Sequence, residues 1–358
     1  MNGEPMNSTA RELQALLPVS PDAYPQNIDL LRGLVLVVRL DARAYRSASF
    51  LDDRILGPAI QGAWISGAAV TEASRLVVNP RPLHFIFHAG HVGSTLLSRL
   101  LDEATAVLPL REPLPLRILA DAADVLDTPE SLLSAPQFQA LLDMCLRLWG
   151  RGYNATRAVV LKATSSAGRV AERLLDASPQ SRAIYLNLAA EPYLATLLGG
   201  ANSAADLRGH GPGRMRRLLA RYRHPVAPLH ALSIGQLAAL GWLVESLTAA
   251  DMLAHAPGRV VYLDFDRFLA DIAGGLDRVL AHFGLPRDAE LLAGISTSPV
   301  LRQYSKAPEL PFPPEERALR LAESRRDNRG EIAKGLAWIE SLARLDDSVA
   351  SVLAARAA

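Results

Sequence analysis

One short stretch constrains this chain more than any other: Leu83-His84-Phe85-Ile86-Phe87-His88, then Ala89-Gly90-His91-Val92-Gly93, then Ser94-Thr95-Leu96-Leu97-Ser98-Arg99-Leu100-Leu101. Phe85, Ile86 and Phe87 form the brief apolar run of a parallel strand covered on both faces. Leu96, Leu97, Leu100 and Leu101 recur at helical spacing, with Ser98, Arg99 and Asp102 on the opposite side. Between them, Gly90 and Gly93 permit a sharp turn and close backbone approach to a ligand. Ser94 and Thr95 stand where a helix begins, so amides and hydroxyls converge on one point. The chemistry this predicts is an anion cradle for a phosphate or sulfate group. It is not a Walker A loop: there is no Gly-Lys-Ser/Thr triplet, and only His91 and Val92 separate the two glycines.

Composition removes several classes of function. The net charge is +1, from 38 basic and 37 acidic residues, so no overall field favours nucleic acid or an anionic membrane. Neither partner is expected, and nothing in the sequence fixes an oligomeric state. Lysine is scarce, occurring only at Lys162, Lys306 and Lys334, which draws attention to each. Cys145 is the single cysteine, which fits a reducing, cytoplasmic setting. The eight histidines are scattered without ligand spacing, so no metal is expected. The chain opens on polar residues, and its first long apolar run, 30–40, is interrupted by Arg32 and Arg39, so no bilayer span is expected there.

Further short apolar runs follow at residues 106–110, 158–164, 183–188 and 260–263, alternating with helical patterns. A stripe of Phe138, Leu141, Leu142, Cys145 and Trp149 reads as core, and Ser233 is an N-cap for a long helix over 232–256. Strands alternating with helices predict a three-layer α/β sandwich around a mainly parallel sheet. Residues 1–80 are expected to form an N-terminal arm and small preamble, loose to about residue 26 apart from a helix at 10–17. Residues 81–358 are expected to form the α/β domain. The Gly-, Arg- and Pro-rich stretch 199–228 is expected to be a mobile segment running into a basic helix that closes over an anionic ligand.

The loop and its sequel, Gly93-Ser94-Thr95-Leu96-Leu97-Ser98-Arg99-Leu100-Leu101-Asp102 and then Arg111-Glu112-Pro113, resemble the phosphosulfate-binding loop of the sulfotransferase family, closest to its tyrosylprotein and carbohydrate branch. The resemblance covers about residues 83–310. It implies a P-loop-like fold and 3′-phosphoadenosine-5′-phosphosulfate (PAPS) as co-substrate, with a hydroxyl acceptor and no metal. Gly90, His91, Val92, Gly93, Ser94 and Thr95 would then hold the phosphosulfate. Glu112 would take the proton of the acceptor hydroxyl, and Lys162 would balance charge on the departing oxygen. Arg302, Ser305 and Lys306 would complete the nucleotide site, and Phe283-Gly284-Leu285-Pro286 matches the end of a family helix.

The sequence also departs from the family. Ala190-Glu191-Pro192 stands where relatives carry Arg-Asp-Pro, whose arginine binds the 3′-phosphate, and Thr196 only approximates the serine that assists it. His91 occupies a position usually held by Lys or Arg, and would serve there as a protonated imidazole. Two other classes remain: a P-loop kinase using ATP, with Asp264 at an acidic strand end, and a non-catalytic module that keeps the fold. On the structural alternative, Glu112 is a surface carboxylate paired with Arg111 or Arg117. A peptide tyrosine, a sugar and a small phenol or alcohol are all open as acceptors.

Overall fold

The structure, a computed structural model, describes residues 8–200 and 202–357. Strands β1 (Ala23–Asp29), β2 (Leu34–Arg39) and β3 (Gly62–Ser66) form an antiparallel sheet with β2 in the middle. Strands β4 (Leu83–His88), β5 (Val107–Arg111), β6 (Ala158–Lys162), β7 (Ala183–Asn187) and β8 (Val260–Asp264) form a parallel sheet in the order β5-β6-β4-β7-β8. A small hairpin, β9 (Gln303–Tyr304) and β10 (Ala307–Pro311), follows late in the chain.

Side-chain alternation along the parallel strands explains the layers. Ile86, Val160, Ile184 and Leu186 point into one core with the helices Ser94–Ala104, Ala190–Leu198 and Ile234–His255. Phe85, Phe87, Val159, Leu161, Ala183 and Tyr185 point into the other, with helices Leu114–Asp124 and Ala135–Trp149 and the antiparallel sheet. Strands β4, β5, β6 and β7 are thus covered on both faces, whereas edge strand β8 leaves Val261 exposed. The result is the expected three-layer α/β fold. Helix Ile234–His255 is long and apolar enough to cross a bilayer, but most of its surface is buried within the protein.

Two expectations are corrected. Residues 8–26 are not a loose arm: helix Ser8–Leu16 buries Ala10 and Leu13, and β1 buries Tyr24 and Gln26. Residues 1–7 lie outside the described residues. The stretch around Gly209-His210-Gly211-Pro212-Gly213 is no flexible segment either, but the middle of helix Ser203–Leu219, with Pro212 inside it. Arg217 on that helix binds Glu245 (2.6 Å) and Thr248 (2.7 Å), and Arg221 pairs with Asp251, so packing outweighs the local cost of proline and glycine.

The sheet order positions the site. β4 connects onward through helix Ser94–Ala104 on one face, while its neighbour β6 connects through helix Ala171–Ala177 on the other. Connections that leave adjacent parallel strands in opposite directions open a crevice at their C-terminal ends. The glycine loop follows β4, and Lys162 ends β6.

Candidate active site

The loop between β4 and its helix is shaped by left-handed backbone: Gly90 at φ +91°, His91 at +57° and Gly93 at +75°. Gly93 is also required sterically, since a Cβ there would lie 2.0 Å from the Phe265 ring. On the other side, a Cβ at Gly90 would lie 3.1 Å from the Ser165 side chain, so residues after β6 and β8 grip the loop. His88 closes its base: Nδ1 accepts the Gly90 N–H (3.0 Å), which leaves Nε2 to donate to the Ala163 carbonyl (2.8 Å). Burial pushes its pKa well below the ordinary histidine value, and Lys162 adds to the effect. His88 is a neutral structural residue.

The cradle holds polar groups with nothing to bind. Thr95 is 3% exposed and its Oγ1 has no hydrogen-bond partner. Thr164 Oγ1, just beyond Lys162, is also buried without a partner, as is one guanidinium nitrogen of Arg214. Arg214 comes from helix Ser203–Leu219, lies within 3.4 Å of where a Cβ on Gly241 would stand, and acts electrostatically on His91 and Tyr193. Buried donors without partners cost about 1–3 kcal/mol each, so an anion that satisfies them would bind with that advantage. The sequence placed Arg214 only in a basic run; its role as an unspent cation depends on a tertiary contact.

Glu112 and Lys162 meet beside this cradle. β5 and β6 are paired Arg111 to Lys162, and the Glu112 N–H donates to the Lys162 carbonyl (2.7 Å). Glu112 then takes φ +53°, a strained value for a non-glycine residue, and its carboxylate accepts from Lys162 Nζ in a buried ion pair. Desolvation lowers the Lys162 pKa to about 8, outweighing the stabilising pull of Glu112, and Lys306 lowers it further. The alternative partners of Glu112 are engaged elsewhere. Arg111 is fully buried and donates to Ser98 Oγ (3.0 Å) and to the Arg46 and Ala48 carbonyls (2.9 Å each), while Arg117 faces Asp52 (3.8 Å).

The remaining expected residues divide. Arg99 Nε donates to the Ser305 carbonyl (2.9 Å), docking the β9–β10 turn so that Lys306 acts on Glu112, Lys162 and His91. Lys306 is partly buried, and desolvation lowers its pKa. Arg302 is exposed and enters the structure through its carbonyl, which accepts from the Phe312 N–H (2.8 Å). His91 runs against expectation: crowding in the crevice and then Lys306 push its pKa below the usual value, although its ring stays open to screening water. It carries no standing positive charge in the free protein at neutral pH. Thr196 does not replace the family serine, because its hydroxyl donates back to the Pro192 carbonyl (2.7 Å). Glu191 pairs with Arg325 at 2.8 Å, and Asp264 caps helix Phe265–Ala270 by accepting from the Arg267 N–H (2.9 Å). Among the described residues, no group of three or more His, Cys, Asp or Glu converges as a metal site would.

The geometry defines an α/β protein whose switch-point crevice carries a left-handed glycine loop beside buried polar groups without partners and, one strand away, a buried carboxylate–ammonium pair. No family model matches the chain, and no curated protein matches it. Among solved structures it is similar to sulfotransferases. One is the sulfotransferase domain of the curacin biosynthetic pathway (15% identity, 65% of this chain and 84% of that one, TM-score 0.38). Another is a sulfotransferase from Alicyclobacillus acidocaldarius (16% identity, 73% and 97%, TM-score 0.37). A third is sulfotransferase STF9 from Mycobacterium avium (12% identity, 91% and 98%, TM-score 0.37). These are distant likenesses, and the functional reading rests on the residues themselves.

Proposed function

We propose that this chain is a sulfotransferase that moves a sulfuryl group from PAPS to a hydroxyl acceptor. The observation that carries the reading is the buried Glu112–Lys162 pair at the ends of adjacent strands, beside a cradle with an unpartnered buried hydroxyl on Thr95. PAPS, when bound, supplies the sulfuryl group. The cradle suits its 5′-phosphosulfate: loop amides, Ser94 and Thr95 donate, and Arg214 and Lys306 add positive charge. Glu112 accepts the proton of the acceptor hydroxyl. Lys162 then turns from Glu112, which has become neutral, toward the charge left on the phosphate oxygen. The single cysteine, buried on a core helix, accords with a cytoplasmic setting.

The kinase reading loses its acidic strand end, because Asp264 is committed to a helix cap. The deciding experiment is a thermal melt with adenosine 3′,5′-bisphosphate or with ATP and magnesium. A ligand at 100 times its dissociation constant stabilises the folded state by about 2.7 kcal/mol, so the bisphosphate should raise the melting temperature by a few degrees. A shift with ATP–magnesium alone would transfer the reading to a kinase. A shift with neither would favour a module without this activity.

A further inference from the structure

Thr164 is a buried hydroxyl that the proposed reaction leaves unused. It follows the last residue of β6, Lys162, by two positions, at the C-terminal end of the sheet. The Ala163 N–H still donates to the Ile86 carbonyl (2.9 Å), so the pairing with β4 runs one residue past Lys162. Ala163 packs in the core that holds Leu161 and helix Leu114–Asp124. Strand alternation therefore turns Thr164 to the opposite face, the one covered by helices Ser94–Ala104 and Ser203–Leu219. On that face, Thr95 Oγ1, Thr164 Oγ1 and one guanidinium nitrogen of Arg214 are each buried without a hydrogen-bond partner among the described residues.

The backbone around Thr164 is fixed on both sides. His88 Nε2 donates to the Ala163 carbonyl (2.8 Å), and the Ala167 N–H donates to the carbonyl of Thr164 itself (3.1 Å). Ser165 lies against Gly90 of the loop. Ser166 takes φ +73°, and Arg169 fastens it there by donating to its carbonyl (2.7 Å) and hydroxyl (3.2 Å) while binding Asp124 (2.9 Å) and Asp121. A strained turn and a buried hydroxyl without a partner both weaken the free protein, and a ligand that completes the hydroxyl accounts for their presence. We propose that Thr164 binds the sulfuryl group of the donor nucleotide, and so distinguishes the loaded donor from the spent bisphosphate. This deepens the sulfotransferase reading and rests on it. The two nucleotides share the phosphate that the loop and Thr95 would hold, and differ by the sulfuryl group alone. Thr164 stands just beyond Lys162, on the wall where proton and departing charge are handled, so its hydroxyl meets the group that moves. Its O–H donates to a sulfuryl oxygen, and Lys162 and Lys306 supply the positive charge nearby. Once the sulfuryl group has left, that bond is lost, which favours release of the spent nucleotide.

The test is a calorimetric titration of PAPS and, separately, of adenosine 3′,5′-bisphosphate, without acceptor, into the parent, Thr164→Val and Thr164→Ser. Thr164→Val keeps the shape and removes the donor. Its PAPS affinity should fall about tenfold while its bisphosphate affinity stays within about twofold of the parent, and Thr164→Ser should retain both. The melting temperature of free Thr164→Val should match or exceed that of the parent, because an unsatisfied group has gone. Unchanged PAPS affinity, equal losses for both nucleotides, or a lower melting temperature with no change in binding would overturn the proposal. If neither nucleotide binds the parent, the sulfotransferase reading fails separately. Inorganic sulfate is then titrated into the same proteins: weaker binding by Thr164→Val supports the hydroxyl as an oxyanion donor, and no difference overturns it. Should Thr164→Val not fold, Thr164→Ala carries the comparison.

Discussion

The two sides of the crevice differ in what their polar groups do before any ligand arrives. On the β4 side, the cradle is held open: glycines are pinned by Phe265 and Ser165, while Thr95 Oγ1 is buried with no partner. On the β5–β6 side, Glu112 and Lys162 satisfy one another in a buried pair. A site meant to bind an anion gains from donors that have nothing to give up. A site meant to move a proton and offset a departing charge needs both groups present, ionised and able to exchange partners. Under the proposed function, binding falls to one wall and chemistry to the other.

The strongest way to break the contrast is to cut the pair on one side. Lys162→Met leaves the Glu112 carboxylate buried and alone, which should lower stability by about 3–5 kcal/mol. Adding Glu112→Gln should recover part of that loss, measured by urea unfolding of the single and double variants. A double variant no more stable than Lys162→Met would mean that the two side chains are not coupled.

The cradle should respond differently. Gly93→Ala places a methyl group into the Phe265 ring and strains the φ +75° backbone, at a cost of roughly 1–3 kcal/mol. It should abolish the bisphosphate melting shift. A variant with normal melting and a full shift would show that the loop does not need its left-handed turn.

Thr95→Val sharpens the comparison, because it removes a hydroxyl with no partner from the free protein. Stability should stay level or rise slightly, while bisphosphate affinity falls about tenfold. Loss of stability with unchanged affinity would place the hydroxyl in the core and not in the cradle.

A further effect is in pH. Burial lowers Lys162 to about 8 from its ordinary 10.5, so between those values the unfolded chain holds a proton that the folded chain has released. Stability of the parent relative to Lys162→Met should therefore rise with pH across that window. Tyrosine ionisation affects both proteins alike and cancels. A difference that does not change above pH 8 would mean that Lys162 is not desolvated.

Much of this arrangement was legible in the sequence because it is local. The five parallel strands are short apolar runs, and the loop, Glu112 and Lys162 stand at their ends. The antiparallel sheet was hidden because β1 carries Pro25, Gln26 and Asn27, which an edge strand with a register shift at Pro25 tolerates. Arg214 gains meaning only through its charge acting on His91, 123 residues away in sequence. Glycine and proline signal breaks locally within Ser203–Leu219, while the packing of this helix against helix Ile234–His255 is a tertiary matter. Backbone strain is equally invisible in a sequence. Among the described residues, three of the four non-glycine positions with positive φ are His91, Glu112 and Ser166, all beyond the C-terminal ends of β4, β5 and β6.

The division between a binding wall and a chemical wall is tested most directly at Glu112. Glu112→Gln keeps the shape of the side chain and its contact with Lys162, but removes its basicity. Transfer of labelled sulfuryl from PAPS to a hydroxyl acceptor should fall by about 100-fold or more, while bisphosphate affinity stays within about threefold of the parent. Full turnover in Glu112→Gln, or an equal loss of turnover and bisphosphate binding, would contradict the account.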